Sequence, residues 1–332
     1  MGKNLIATVI VSGDLHLCSR NYGAHRDYPK ESLEYLRKFT EIAEKNKATH
    51  IIGCGDFTYG RFNSLEYRKA VDDELLKQNE ITNGNRYELF GNHDKAGYGL
   101  TEWGYYLTRG LIKPATYLKL GGVNINMVDY VDLKSETFEE SEKTNVSLVE
   151  NEINVIICHN YLKFKDSPLP RYGTPVELDE FSKWYGVDYI ICGHIHGQHL
   201  IKGSIVSPDG TRSHEAYVHY PGCAMRPAYN KDGMMTEGQL VVLRIFDDGT
   251  MEYDVETFPL WSIEDSFNLE TKEKKQKTKE EKEARLNISD IVRDLAEHQS
   301  MSLDPIEVIN SLQGVDARYK EKAIELLKEA LG

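Results

Sequence analysis

Leu5-Ile-Ala-Thr-Val-Ile-Val11 is an unbroken apolar, largely β-branched run, the pattern of a strand buried on both faces. From Glu31 to Asn46 the pattern changes, and Leu33, Leu36, Phe39, Ile42 and Ala43 recur at helical spacing. His50-Ile51-Ile52 reads as a second strand. A second helix starts near Asn63-Ser64, with Leu65, Val71, Leu75 and Leu76 on its apolar side. Asn83-Gly84-Asn85 breaks the chain, and Arg86 to Phe90 forms the next strand.

The middle is less regular. Leu100 to Leu111 reads as helix, and two strands flank Gly121-Gly122 as a hairpin. Ser135 to Asn151 is acidic and polar and reads as loop with some helix. Strands follow at Ile153–Cys158 and Tyr189–Cys192, with a helix expected around Glu177 to Tyr185 between them. Beyond residue 198 the pattern turns to hairpins: His199–Val206 with His214–Tyr220, and Gln239–Phe246 with Met251–Phe258 around Asp247-Asp248-Gly249. Strand–helix alternation followed by hairpins predicts an α/β chain of two packed sheets with outer helices.

Lys272 to Arg285 is a mixed-charge run without apolar periodicity, and the remaining residues form short amphipathic stripes. These shifts divide the chain into residues 1–262 as one domain, 263–285 as a charged linker and 286–332 as a helical tail. In the tail, Ile288, Ile291, Val292, Leu295, Ile309, Leu312, Ile324, Leu327 and Leu331 need a cover, since short helices are marginal alone. Docking on a partner is the favoured cover.

Charge and cysteine usage narrow the function. The net charge of −13 argues against a protein that coats nucleic acid, but bound divalent cations would reverse the field locally. Five scattered cysteines form no Cys-x-x-Cys pair, so neither a disulfide framework nor a zinc knuckle is expected. With no long apolar core at the N-terminus and no apolar run long enough to span a bilayer, a cytoplasmic location is expected.

Candidate chemistry lies where the strands end. Five apolar runs deliver ligand-type residues in turn: Asp14 with His16, Asp56, Asn92 with His93, His159, and His194 with His196. Each piece alone has a bland reading as loop polarity or a cap. Five in this order, each after its own strand, do not. Oxygen and imidazole donors without thiolates suit manganese, iron, zinc or similar divalent ions. The simplest division puts Asp14, His16, Asp56 and His196 on one ion. Asn92, His159, His194 and the shared Asp56 then hold the other. Such a pair clamps a phosphoryl group and activates water for in-line attack. His93 is left to protonate the leaving oxygen, with Asp94 as the partner fixing its tautomer. Lys163, Lys165 and Arg171, and Arg20, His25 and Arg26, are weaker candidates for backbone phosphate contacts.

At these residues the chain resembles a known family. GDLH (13–16), GD (55–56), GNHD (91–94), His159 and GHIH (193–196) look like the calcineurin-like metallophosphoesterases over about residues 5–260. The resemblance implies a four-layer α/β-β/α sandwich with a dinuclear metal centre, here with a small C-terminal helical extension. Within the family, Ser12–Leu17, Leu89–Asp94 and Tyr220–Arg226 look like the SbcD-type (Mre-type) DNA exonuclease subunits. Phe57-Thr58 stand where protein Ser/Thr phosphatases carry Asp-Arg. The SbcD-type resemblance implies two manganese ions, DNA as substrate, an SbcC-like ATPase docked on the C-terminal helices, a homodimer, and no membrane. Two departures stand out: Tyr59 occupies a place where some members carry a histidine, and no room remains after Leu260 for a DNA-capping domain. The other reading within the superfamily is a small-molecule nucleotide phosphodiesterase or phosphatase. A binding protein with a degenerate site is the reading from a different class.

Overall fold

A computed structural model describes residues 2–21, 24–59, 63–94, 101–169, 174–223, 235–268, 305–311 and six positions between 318 and 325. It contains two compact units, residues 1–267 and 268–332.

In the first unit, β1 (Leu5–Ser12), β2 (His50–Gly53) and β3 (Arg86–Glu88) run parallel, and β12 (Glu237–Phe246) and β13 (Met251–Pro259) extend that sheet antiparallel in the order β13-β12-β1-β2-β3. The second sheet is built from β4 (Tyr117–Leu120), β5 (Val123–Val128), β6 (Ile153–His159), β9 (Tyr189–Gly193), β10 (His199–Val206) and β11 (Ser213–Tyr220). Its order is β10-β11-β9-β6-β5-β4, with β5, β6, β9 and β11 mutually parallel. A short parallel pair, β7 (Leu162–Lys163) with β8 (Val176–Glu177), had no signal in the periodicity.

Alternation along β1 explains the layering. Val9 and Val11 point between the sheets, where they meet Ile125, Met127, Val155, Ile157 and Ile191 from the second sheet. Ile10 points the other way, under α1 (Tyr28–Lys45) and α2 (Leu65–Ile81), among Leu36, Phe39, Val71 and Leu75. Burial on both faces is why β1 reads as continuous apolar residues rather than alternating ones. Helix α1 starts on Asp27, whose carboxylate accepts from Lys30 N, with Pro29 in its first turn.

Three expectations need correction. Leu65 and Leu76 do not face the core: they are 75% and 49% exposed. The buried side of α2 runs through Tyr67, Val71, Leu75 and Gln78, and adjacent residues on a helix cannot share one stripe. The helix expected over 177–185 is two 3₁₀ turns, Leu178–Glu180 and Ser182–Trp184. Leu178, Phe181 and Trp184 are spaced by three, which lines up in a three-residue turn, and all three bury against the outer face of the second sheet. The expected helix over 100–111 is shorter, at Glu102–Thr108, and Leu100 lies outside the described residues.

Loop chemistry closes the unit. Arg26 Nε donates to the carbonyls of Glu264 (2.8 Å) and Phe267 (3.2 Å), and Ser266 Oγ donates to Glu31 Oε1 at 2.8 Å. Arg26 and the buried His25 are thus structural, tying residues 262–267 to the start of α1. Lys163 pairs with Glu177 at 3.2 Å, while Arg171 lies outside the described residues. All five cysteines are free and buried.

In the second unit the described residues include a helix, Pro305–Ser311, with Ile309 buried and the carbonyl of Asn310 accepting from Lys320 Nζ at 2.9 Å. The charged run 272–285 and most of the tail's apolar stripe fall outside the described residues. Among the described residues no helix is long and apolar enough to cross a membrane.

Candidate metal centre

The carboxyl ends of β1, β2, β3, β6 and β9 meet at one rim, and the two sheets contribute to it together. Asp14 and His16 leave β1, Asp56 follows β2, Asn92 and His93 follow β3, His159 ends β6, and His194 and His196 follow β9.

Asp14, His16 and His196 form one cluster whose ligand atoms all lie within 4.8 Å of one another. His16 Nε2 and His196 Nε2 are 3.1 Å apart. Asn92 Oδ1 marks a second point of convergence, 2.9 Å from His159 Nε2 and 2.8 Å from His194 Nδ1. Asp56 Oδ2 stands between the two, 3.8 Å from His16 Nε2 and 3.5 Å from His159 Nε2. The chain therefore brings all seven residues of the donor set together.

The backbone is bent to achieve this. His16 (φ 47°), Asp56 (φ 48°) and His194 (φ 84°) all adopt the left-handed conformation, which costs an L-residue about 1–2 kcal/mol. Three such residues in one cluster mark stored strain at a working site. Close approach is the other requirement. A Cβ on Gly193 would lie 2.5 Å from Asp14 Oδ1 and 2.7 Å from both the Cys54 carbonyl oxygen and His159 Nδ1.

Hydrogen bonds aim the ligands. His159 Nδ1 lies 2.8 Å from the carbonyl of Cys54, so its protonated nitrogen faces away and Nε2 faces the cluster. The amide of His194 donates to both oxygens of Asp14 at 3.0 and 3.1 Å. The amide of His93 donates to Asp56 Oδ1 at 2.7 Å, and the His93 ring sits at the rim with its side chain 41% exposed.

Asp94 does different work from that expected of it. It is buried, and its oxygens accept from Gly91 N (2.9 Å), Phe57 N (3.4 Å), Thr58 N (3.0 Å) and Thr58 Oγ1 (3.1 Å), not from the His93 ring. A carboxylate with that many backbone donors within reach is a loop clamp. It ties the turn after β3 to the turn after β2.

Several contributors carried no signal in the periodicity, and Tyr59 stood out only as a departure from the family pattern. The Cys54 carbonyl acts through the main chain. Tyr59 lies against His93 with ring centroids 5.0 Å apart, and Tyr130 stacks on His194 at 6.3 Å. Under the Asp56 turn, Glu88 is buried and ion-paired to Arg86 at 2.8 Å.

The electrostatics suit cations. Burial pushes His16 well below the ordinary imidazole value, His196 down to about 4 and His194 down to about 3, so all three are neutral lone-pair donors at pH 7. Burial also lifts Asp14. For Asp56, burial acts upward, but the surrounding imidazoles, His159 first, hold it well below the usual range. His159 is the reverse: burial alone lowers it, but Asp56 and then Asp14 raise it to about 10. His16 Nδ1 is buried without a hydrogen-bond partner. Thiolate-free, partly anionic and crowded with neutral imidazoles, this donor set fits a pair of divalent cations.

A pH dependence follows. In the metal-free protein, His159 is an imidazolium paired with Asp56 at neutral pH, and a cation can take Nε2 only as that proton leaves. Loading with manganese at pH 7.5 should release protons, His159 contributing one per chain, and affinity should rise toward pH 10. A raised imidazole stabilises the metal-free fold below pH 6.5, and this contribution is lost as pH rises through about 10. Calorimetric titration in buffers of different ionisation enthalpy measures the release. Proton-neutral binding would contradict the assignment of His159.

The family model described as calcineurin-like phosphoesterase matches residues 7–198, a stretch that contains every residue of the donor set. Among solved structures the chain is similar to a dimetal phosphatase from Danio rerio, at 14% identity and a TM-score of 0.42, covering 78% of this chain and 100% of that one. No curated protein matches.

Proposed function

The chain belongs to the calcineurin-like phosphoesterases, metal-dependent hydrolases of phosphoesters, and on that premise we propose a two-metal phosphodiesterase that cleaves DNA. The observation that carries the hydrolytic reading is the convergence of seven donors from two sheets beneath one half-exposed imidazole.

Asp14, His16 and His196 would hold one divalent cation and Asn92, His159 and His194 the other, with Asp56 within reach of both groups. When bound, such a pair supplies Lewis acidity toward a phosphoryl oxygen and a nucleophilic water at neutral pH, with manganese as the preferred ion. His93 stands outside the donor set, with Nε2 4.0 Å from Asp56 Oδ2, and passes its proton to the departing ester oxygen. The carbonyl of Cys54 keeps His159 in the tautomer that presents Nε2.

DNA is favoured over a small nucleotide because the tetrapeptides around Asp14 and His93 resemble the SbcD-type subunits. A proton donor at the rim also suits an ester carried on a large molecule. The same resemblance supports an SbcC-like ATPase as partner for the segment after residue 285.

The test is digestion of linear single-stranded and duplex DNA by the purified chain with manganese, against a chelator control. Metal-dependent release of nucleotides is expected. Turnover of cyclic or mononucleotides with DNA untouched would replace the nuclease reading by the small-molecule one. A chain ending at residue 285 should still hydrolyse bis(4-nitrophenyl) phosphate but lose association with the ATPase subunit, and retained association would remove the docking role.

A further inference from the structure

His93 is poorly held for a proton donor. Its amide is fixed by Asp56, but its ring is exposed and its nearest carboxylate oxygen is 4.0 Å away. Histidine has two side-chain torsions, and a half-exposed ring would sample several rotamers. What lies against it is Tyr59: the two rings are 5.0 Å apart and tilted by 32°. The His16 ring meets it edge-on beside Tyr59, with centroids at 5.2 Å and planes at 81°.

Tyr59 is itself held firmly. Its amide donates to the Leu17 carbonyl at 3.0 Å, and Leu17 and Thr58 form a parallel bridge. Its ring also meets His16 edge-on at 5.5 Å. The two residues before it, Phe57 and Thr58, are gripped by the Asp94 carboxylate. Asp94 directly follows His93 in the chain. The connection closes a circuit: Asp94 grips Thr58, Thr58 places Tyr59, and Tyr59 lies on His93.

We propose that Tyr59 is a positioning residue that holds the His93 imidazole in the orientation from which it protonates the leaving group. The contact on which this rests is ring to ring. Misplacement of a reacting group by about 1 Å costs on the order of 100-fold in rate. The proposal rests on the proton-donor role given to His93 above, and the experiment separates the two.

The substrates are the 4-nitrophenyl and phenyl esters of thymidine 5′-phosphate, hydrolysed by the manganese-loaded full chain. Nitrophenolate leaves without a proton, whereas phenolate, whose conjugate acid has a pKa of about 10 like tyrosine, needs one. Tyr59→Ala should lower kcat for the phenyl ester by about 10- to 100-fold, with KM changed less than about threefold, and lower it far less for the nitrophenyl ester. Tyr59→Phe should match wild type on both. His93→Ala should show the same leaving-group selectivity, and the Tyr59→Ala/His93→Ala double variant should be no slower than His93→Ala alone.

Two readouts do not depend on turnover. Metal content should be unchanged in Tyr59→Ala. In the metal-free protein, the His93 ring-proton resonances, identified by their loss in His93→Ala, should shift in Tyr59→Ala and stay in place in Tyr59→Phe. Equal losses on both esters, additive losses in the double variant, failure of Tyr59→Phe or loss of metal from Tyr59→Ala would each overturn the proposal. A selective Tyr59→Ala beside a non-selective His93→Ala would overturn the role of His93 itself.

Discussion

His93→Ala should lower DNA hydrolysis by about 100- to 10,000-fold while leaving two metals per chain. The size follows from the contribution of a placed proton donor, and the retained metal from geometry. The His93 side chain is 41% exposed, and its Nε2 lies 4.0 Å from Asp56 Oδ2. Truncation therefore removes no donor atom and leaves the amide that bonds Asp56 Oδ1 in place. Because the ring sits at the rim, imidazole added to the medium should restore part of the rate. A variant within threefold of wild type would end the proton-donor role. One that loses metal would make His93 a ligand.

Arg86→Ala should destabilise the fold by about 3–5 kcal/mol, the usual cost of stranding one member of a buried ion pair. Arg86 and Glu88 are both fully buried. The guanidinium bonds Gln78 Oε1 at 2.9 Å and the Tyr87 carbonyl at 3.1 Å, and lies over the Phe57 ring at 5.1 Å. Without it, Glu88 keeps the desolvation that already raises its pKa in the intact protein, offset only by the Gly55 amide and the charge of His159. The carboxyl is more easily protonated folded than unfolded, so the penalty should shrink as pH falls. Arg86→Met with Glu88→Gln should cost less than Arg86→Ala, since no charge is left behind. Denaturant midpoints at pH 5 and pH 8 measure both effects. A loss below about 1 kcal/mol at pH 8 would contradict the ion-pair argument.

What was legible in the chain was local. Each donor follows its own apolar run within a few residues, so β1, β2, β6 and β9 announce both themselves and what they deliver. Distances through space were not legible. Asp94 sits beside His93 in sequence, which made a direct contact the natural reading. In the fold its carboxylate turns to the main chain at Phe57 and Thr58. Tyr59 and Tyr130 belong to no periodic pattern, and only the fold puts their rings on His93 and His194. The misread helix at 177–185 has another cause: residues three apart satisfy the α and the 3₁₀ period alike over one or two turns. Leu65 and Leu76 show that an apolar residue on a helix is not thereby a core residue.

The division of the donor set between the sheets has one more consequence. Asp14, His16, Asp56 and Asn92 hang from one layer, while His159, His194 and His196 hang from the other. The greasy seam joining the layers is non-directional and by itself tolerates sliding. Cations bound at its edge would act as rivets through two plates, so filling the site should raise the resistance of the whole joint to unfolding.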